Sequence, residues 1–362
     1  MIDPKVLKSD EAAVLSLRSL YKSYGYLPFK MSKFEEYDLY VENKDFLVSD
    51  RVITFNDTNG KLLALKPDVT LSIIKNTAYE KGCKTKVYYN ENVYRVSGAT
   101  GQFKEIMQTG LECIGDIDIS DVFEVLELAV KSLVEVSEDF VLDVSHMGLL
   151  SALLDEASDS ESFKKEITSF IAEKNSHEAA SLCKKYALSD SASEMIVALC
   201  GMYGNIDSVV ERLGSFCKSE RAKSELSRLS SIGELLKTLP ESDRIRFDFS
   251  VVNDMNYYNG IVFRGFLSGI SEGVLSGGEY GKLLSGMGKS CGAIGFALYL
   301  DLLSELDKER DAYDIDVLLL YSEDSAALAV AKKKSELISL GKTVSAQKSI
   351  PEKLRYKELI RI

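Results

Sequence analysis

Polar and charged residues recur at four points of this chain, and on one of them they alternate. Gln108, Gly110 and Glu112 are two residues apart, so on a β-strand they share one face, with space at Gly110 between the two side chains. The other segments are Lys66-Pro67-Asp68-Val69-Thr70, Tyr94-Arg95 and Asn256-Tyr257-Tyr258-Asn259-Gly260. Each segment alone is typical of surface or ion-paired residues. Together they predict a ligand-binding sheet face, because buried charges must be paired or meet a ligand.

Helices and antiparallel strands are predicted to position these residues. A helix is expected over residues 9–24, ending at Gly25. The turn Asp57-Thr58-Asn59-Gly60 predicts a tight hairpin, since Asn-Gly accommodates positive φ angles. A second strand pair, KVYYNENVYRV and FKEIMQTGLECIG, is joined by the small residues 97–101, which can bend over a ligand. Asp121 to Glu124 resembles a capping box for a helix running to about Val136.

The second half of the chain changes composition. Residues 149–240 are rich in Ala, Leu, Ser, Glu and Lys and predict an all-helical insert between two parts of one core, 1–148 and 241–308. Strand patterns return near Phe247. Residues 309–362 predict a strand, a helix and a strand. This βα fragment is shorter than an independent domain usually is. The expected fold class is therefore α+β.

Composition excludes several kinds of function. The 362 residues are 45% hydrophobic and 28% charged, as in globular proteins, and their formal net charge of -12 disfavours binding to nucleic acid or anionic membranes. The first residues do not resemble a signal peptide, and no apolar stretch is long enough to span a bilayer. We therefore expect a soluble, cytoplasmic protein.

Cysteine and histidine content argues against a metal site or imidazole catalysis. The six Cys contain no C-x-x-C pair and are expected to be reduced, small core residues. The chain has two His. His146 follows an apolar segment and is expected in the core or at an interface, whereas His177 is expected at the surface. No metal or cofactor is predicted.

Six blocks resemble, in this order, the class II catalytic core of the histidyl-tRNA synthetases, over roughly residues 9 to 305. The blocks are FNDTNGKLLALKPDVT, VYYNENVYRV, QFKEIMQTGLECIG, MNYYNGIVF, SGGEYGKLL and AIGFALYLDLL. The resemblance implies an antiparallel sheet flanked by helices, and it places the helical insert where that family also has one. It also implies an amino-acid pocket on the sheet.

The departures from the synthetase pattern affect ATP. Where the family has arginines that contact ATP phosphates or assist activation, this chain has Gln102, Leu302 and Asn253. Arg95 lacks the x-Glu that follows it in the family, and Tyr299 replaces a glycine of motif 3. One positioned cation is commonly worth about 10²–10³ in rate, so the resemblance implies that adenylate formation is lost.

The residues that resemble the family's histidine pocket are largely kept. By this resemblance Asp68, Thr70 and Gln108 hold the α-amino group and Arg95 holds the carboxylate. The imidazole is surrounded by Glu112, Tyr258 and Tyr280. Asp68 is one methylene shorter than the family's glutamate, which predicts weaker binding. No residue is predicted to be catalytic.

A truncated, non-activating paralogue of this kind resembles the regulatory subunits of ATP phosphoribosyltransferase, a glycosyltransferase whose reaction begins histidine biosynthesis. The implied function is a non-catalytic subunit that the short-form catalytic subunit needs for activity and for allosteric feedback by histidine. The alternatives are a divergent amino-acid-activating ligase of the histidyl-tRNA synthetase type, and a pseudoenzyme that scaffolds another complex. Loss of arginines in both motif 2 and motif 3 favours the regulatory subunit.

Implied partners are the short-form catalytic subunit, L-histidine as effector and a second copy of this chain, in a larger hetero-oligomer. The dimer would form through residues 25–35, which resemble motif 1, although Ser32 replaces its proline. Histidine has two candidate sites, namely the inherited pocket or a contact with the catalytic subunit that uses the loop from Ser97 to Lys104. The inherited pocket is favoured, because Glu112 and Arg95 grip opposite ends of the amino acid.

Overall fold

A computed structural model describes residues 7–44, 51–96, 100–252, 257–304, 306, 313–323 and 326–362. The chain divides into two compact units, Met1–Leu303 and Ser304–Ile362. No helix in the described ranges is both long and apolar enough to cross a membrane.

The strands are β1 (Leu27–Pro28), β2 (Phe34–Glu36), β3 (Thr54–Asn56), β4 (Leu62–Leu65), β5 (Lys84–Val96), β6 (Phe103–Gly115), β7 (Phe140–His146), β8 (Tyr203–Gly204), β9 (Ile245–Asp248), β10 (Ile261–Leu267), β11 (Leu275–Glu279), β12 (Gly292–Tyr299), β13 (Ile315–Leu320), β14 (Val344–Gln347) and β15 (Tyr356–Arg361). The helices are α1 (Ser9–Ser23), α2 (Asp38–Glu42), α3 (Thr70–Asn76), α4 (Ile119–Val136), α5 (Met147–Ala157), α6 (Glu161–Ala172), α7 (Ser176–Lys185), α8 (Asp190–Cys200), α9 (Ile206–Gly214), α10 (Glu220–Leu236), α11 (Gly281–Gly286) and α12 (Ala327–Ser339). Among the described residues, 3-10 helices cover Ser242–Arg244 and Leu300–Leu303.

A nine-stranded sheet organises the first unit, in the order β1-β5-β6-β12-β11-β10-β7-β9-β8. Its pairs are antiparallel except β1 with β5 and β7 with β9. The hairpin of β5 and β6 pairs from Lys84 opposite Gly115 to Val96 opposite Phe103. This confirms the predicted second strand pair. Ser97 to Ala99, in the loop between the strands, lie outside the described residues.

Helices α1 and α4 contact each other beside one face of this sheet. Tyr21 of α1 packs against Tyr88 and Phe296, and both of those residues pair with Leu111 in the sheet. The next residue, Glu112, therefore points to the other face. The Tyr21 hydroxyl lies 3.0 Å from Ser132 Oγ of α4, so a hydrogen bond satisfies this polar pair inside the apolar layer. Helices α1 and α4 thus cover one face of the sheet, and the face that carries Glu112 is the opposite one.

The ends of two predicted elements are informative. Helix α1 begins and ends within one residue of the predicted bounds. The predicted cap of α4 was wrong, because the capping residue is Asp118, whose carboxylate accepts the N–H groups of Ser120 and Asp121. Asp121 reaches back to the N–H of Asp118 and completes the capping box three residues earlier than expected.

A three-stranded antiparallel sheet, β2-β4-β3, precedes the large hairpin. Its turn is the predicted one, with Gly60 at φ +86° and its N–H donating to the carbonyl of Asp57. Gly60 is the residue of this turn with a positive φ, and Asn59 instead accepts from the N–H of Lys61. From this sheet the chain leads directly to Asp68 and α3, which starts at Thr70.

The region predicted to be all-helical contains α5 to α10 and one short strand. Strand β8 pairs with β9 at the edge of the large sheet, through Tyr203 opposite Asp248. Two residues between helices carry no recognisable alternation, which is why the sequence pattern missed this strand. His146 caps the start of α5 and is fully buried, as expected of a core residue, and His177 is exposed.

The second unit is a parallel sheet in the order β14-β13-β15, with α12 between β13 and β14 in the chain. The sequence predicted strand, helix, strand, and the structure adds β15 as a third strand. Half of the β15 residues are exposed, so it carries little hydrophobic signal. Cys113, Cys183, Cys200 and Cys217 are buried, as predicted, whereas Cys83 is exposed.

Candidate functional site

Strand β6 supplies the floor of the candidate site. Gln108 and Glu112 are each 2% exposed and lie on the face away from α1 and α4. The neighbouring strand β12 places Gly295 opposite Glu112. A Cβ atom at Gly295 would lie 1.8 Å from Glu112 Oε2, so the glycine is what leaves room for the carboxylate between the strands.

Glu112 is held by two hydroxyl groups from different parts of the chain. The Thr70 hydroxyl donates to its Oε1 at 2.8 Å, and the Tyr280 hydroxyl donates to its Oε2. Thr70 is brought there by the start of α3, and Tyr280 by the end of β11. Three of the predicted site residues, distant in the chain, therefore form one buried cluster.

Burial controls the ionisation of this cluster. It raises the pKa of Glu112 to about 8, against the lowering effect of its two hydroxyl donors, and the nearby charge of Asp68 acts in the same direction as burial. Burial also raises the pKa of the Tyr280 phenol, and the charge of Glu112 adds to the effect. Burial thus favours the protonated form of the Glu112 carboxyl group at neutral pH.

Asp68 and Arg95 form the second part of the site. Asp68 Oδ1 accepts the N–H of Leu71 at 2.9 Å, which fixes the carboxylate at the start of α3. Arg95 Nη2 lies 3.4 Å from Asp68 Oδ2, and Arg95 Nε donates to the carbonyl of Pro67 at 2.7 Å. The two predicted residues are therefore adjacent and of opposite charge.

A wall of three tyrosines continues the site. The rings of Tyr257 and Tyr258 have centroids 4.5 Å apart, and those of Tyr257 and Tyr280 are 5.9 Å apart. Tyr257 also makes a hydrogen bond with Thr70. All of the predicted pocket residues lie within the described ranges, whereas Asn253 and Asn256 lie outside them.

Gln108 is the buried residue of the site with spare hydrogen-bonding capacity. Among the described residues, its Nε2 has no hydrogen-bond partner. A buried amide donor without a partner is costly, and a ligand oxygen at this point would remove the cost. Gln108 therefore marks where a polar ligand fits best.

Sequence reasoning missed two contributors on β5. The space predicted beside Gly110 holds the ring of Tyr89, since a Cβ at Gly110 would lie 2.6 Å from the Tyr89 hydroxyl. Lys66, fully buried, donates to Glu91 Oε2 at 2.9 Å. The two missed residues on β5 are Tyr89 and Glu91. The register of the hairpin was the signal for them, since it places Tyr89 opposite Gly110 and Glu91 opposite Gln108.

The positions that resemble the synthetases' ATP contacts differ in character from this buried cluster. Gln102 is exposed, and Leu302 lies half-buried in a 3-10 helix. The nearby cation Lys104 pairs with Asp301 at 2.8 Å. Tyr299 lies opposite Gln108 in the sheet, and its hydroxyl is 2.9 Å from Ser276 Oγ. Within the described ranges no group of three His, Cys, Asp or Glu side chains is placed to hold a metal ion.

This mainly antiparallel sheet, with a buried glutamate, an arginine and tyrosines on one face, defines a core of the class II aminoacyl-tRNA synthetase type. The histidyl-tRNA synthetase family profile matches residues 2–303, and the chain belongs to that family.

A curated relative is similar over most of the chain, and solved structures share its fold. A relative from Ruminiclostridium cellulolyticum, named ATP phosphoribosyltransferase regulatory subunit, is 26% identical over 326 residues, covering 87% of this chain and 77% of the relative. A Bacillus halodurans structure described as an ATP phosphoribosyltransferase regulatory subunit/histidyl-tRNA synthetase has a TM-score of 0.74 at 24% identity and covers 100% of this chain and 96% of that one. A chain of the ATP phosphoribosyl transferase (HisG:HisZ) complex from Thermotoga maritima has a TM-score of 0.62 at 22% identity, covering 79% of this chain and 96% of that one.

Proposed function

We propose that this chain is the regulatory subunit of an ATP phosphoribosyltransferase and binds histidine in the pocket around Glu112. One contrast carries the proposal. The residues that resemble the amino-acid pocket lie together and include the buried Gln108, Glu112 and Tyr280, whereas the positions that resemble ATP contacts carry Gln102 and Leu302 instead of arginines. The name of the curated relative supports the same role, and so does the fold shared with a chain of the Thermotoga complex.

Histidine suits the chemistry of the pocket. The imidazole would meet Glu112 and the tyrosine wall, and Arg95 would hold the carboxylate. Arg95 lies beside Asp68, so a bound amino acid would place its carboxylate on the arginine and its amino group on the aspartate. The Gln108 Nε2 without a partner is a donor, so it would meet an oxygen of the bound amino acid, and the Gln108 side-chain oxygen would be the atom that accepts from the amino group.

Activation of the catalytic subunit is the other half of the role. No residue of this chain is proposed to enter the catalytic reaction. Binding would instead shift the catalytic subunits toward their active arrangement, and histidine would regulate by binding the inhibited arrangement more tightly.

The decisive experiment mixes this chain with the short-form catalytic subunit encoded in the same genome. We expect the catalytic subunit to be nearly inactive alone, to gain turnover in the complex, and to lose it again when histidine is added. Equal turnover with and without this chain, under conditions where the two co-elute, would refute the regulatory role.

Histidine binding is tested separately by calorimetric titration of the isolated chain. The matched pair is Glu112→Gln and Glu105→Gln, because both residues are on β6 but Glu105 is exposed and on the opposite face. We expect Glu112→Gln to weaken binding at least several-fold and Glu105→Gln to leave it unchanged. Equal affinities would move the proposed histidine site to the contact with the catalytic subunit.

We further propose that the chain forms a homodimer through residues 25–35. Leu27 and Phe34 support this, since they are 67% and 45% exposed although both are large and apolar.

A further inference from the structure

One ion pair connects the helical region to the large sheet beside the pocket. Arg228 of α10 donates from Nη1 to Glu279 Oε2 at 2.9 Å and from Nη2 to Glu279 Oε1. This is the two-pronged geometry in which an arginine fixes the orientation of a carboxylate as well as its position. The Glu279 side chain is 13% exposed and the Arg228 side chain is 34% exposed, so the carboxylate is the more shielded partner of the contact.

Glu279 also holds the chain that leads to the tyrosine wall. Its Oε2 accepts the N–H of Ile261 at 2.7 Å, and its main-chain carbonyl accepts the N–H of Asn259 at 3.0 Å. Glu279 is the last residue of β11 and directly precedes Tyr280. The side chain and the main chain of Glu279 therefore both hold the segment that follows Tyr258, and the same residue is bonded directly to Tyr280.

The packing around this ion pair leaves little freedom. A Cβ atom at Gly260 would lie 2.2 Å from Glu279 Oε2, and one at Gly278 would lie 2.7 Å from the Tyr258 ring. The first N–H of α5, from Met147, donates to the carbonyl of Gly260 at 2.8 Å. The segment around Gly260 is thus bonded to the first residue of α5 and packed against the carboxylate that Arg228 of α10 holds, so a displacement of Glu279 would be transmitted to the tyrosines.

From this geometry we infer that Arg228 is a positioning residue for the histidine pocket, acting through Glu279 on Tyr258 and Tyr280. The inference rests on the proposed histidine site. It makes α10 a point of control, because any partner that moves this helix changes histidine affinity, and histidine changes the affinity for that partner by the same factor.

Arg221 provides a matched control on the same helix. It is paired with Asp155 of α5, which keeps its contact among the helices and away from the sheet. Arg221→Ala and Arg228→Ala therefore remove the same side chain and one ion pair each, and they differ in whether the lost contact reaches β11. Arg228→Lys retains the charge but not the two-pronged geometry.

The test has two readouts, both on the full chain. Hydrogen exchange without histidine follows the peptide of residues 257–262, and calorimetry gives the histidine dissociation constant. For Arg228→Ala we expect faster exchange in this peptide and a dissociation constant raised about fivefold or more, with Arg228→Lys between it and the wild type. Arg221→Ala is expected to match the wild type in both.

If Arg228→Ala and Arg221→Ala behave alike in both readouts, Arg228 is not a positioning residue. If the wild type binds no histidine, the proposed function fails, whereas the exchange data still decide whether Arg228 holds the tyrosine segment.

Discussion

Glu112 carries most of the chemistry expected of this site, and burial determines its state. Its pKa of about 8 is raised from the usual carboxyl value, so between about pH 4.5 and about pH 8 the folded protein binds a proton that the unfolded chain has released. The free energy of unfolding must then fall as pH rises through this window. A ligand that places a positive charge beside the ionised Glu112 carboxylate would offset that loss of stability.

The first prediction follows from this linkage. Glu112→Gln cannot ionise, so its stability relative to the wild type should be lowest near pH 5 and should improve steadily toward pH 8. Urea unfolding of both proteins at several pH values measures the difference. Parallel stability curves for the two proteins would mean that Glu112 titrates normally.

The second prediction concerns feedback in the assembled complex. Glu112→Ala and Arg95→Ala should each weaken histidine inhibition at least several-fold, because each leaves one end of the amino acid without its hydrogen-bonding partner. Activation of the catalytic subunit should be spared. Inhibition curves of the reconstituted complexes test this, and wild-type inhibition in both variants would exclude the inherited pocket as the sensor.

At the scale of elements, the site depends on close approach of β6 and β12. Gly295 lets the Glu112 carboxylate lie between the two strands, and Gly110 does the same for Tyr89. Glycine weakens a strand interior, so Gly295 and Gly110 lower the local stability of their strands while they leave space for the side chains of the site.

The third prediction uses this packing. Gly295→Ala should destabilise the protein by about 1–3 kcal/mol, because its Cβ would overlap Glu112 Oε2, and it should abolish histidine binding. Gly214→Ala is the control, since its Cβ would meet Leu226 at an ordinary 3.8 Å. Denaturant unfolding and histidine titration of both variants test the prediction. Equal stability would show that the strands separate readily.

At the scale of the whole molecule, the fourth prediction is that the chain does not activate histidine. Gln102 and Leu302 supply no cation where an adenylating enzyme needs one, and each missing donor is worth about 10²–10³ in rate. Histidine-dependent pyrophosphate–ATP exchange should therefore equal the background, and transfer RNA should stay uncharged. Clear exchange would favour the ligase instead.

The fifth prediction is the dimer. Light scattering of the isolated chain should give twice the monomer mass, and Leu27→Asp should reduce it by placing a charge in the apolar contact. Val41→Asp is the control, as another large apolar residue that is 48% exposed but lies on α2. A stable monomer that does not change size with the catalytic subunit would contradict the proposed assembly.

The sequence by itself determined the elements whose signals are local. Gly25 ends helix α1, and the Asn-Gly turn specifies the first hairpin. Two long runs of strand-forming residues specify the β5–β6 hairpin. Alternation along β6 was enough to place Gln108, Gly110 and Glu112 on one face, because the side-chain period of a strand is two residues. The sequence pattern missed β8, which is too short to show alternation, and β15, which is too exposed.

Only the tertiary structure decided which groups meet. Thr70 and Tyr280 both donate to Glu112 although 42 and 168 residues separate them from it, and Arg228 reaches Glu279 over 51 residues. Burial is likewise a property of the whole fold, and it moves the pKa of Glu112 to about 8. No spacing in the sequence encodes these contacts, since strand order and sheet register bring distant segments together.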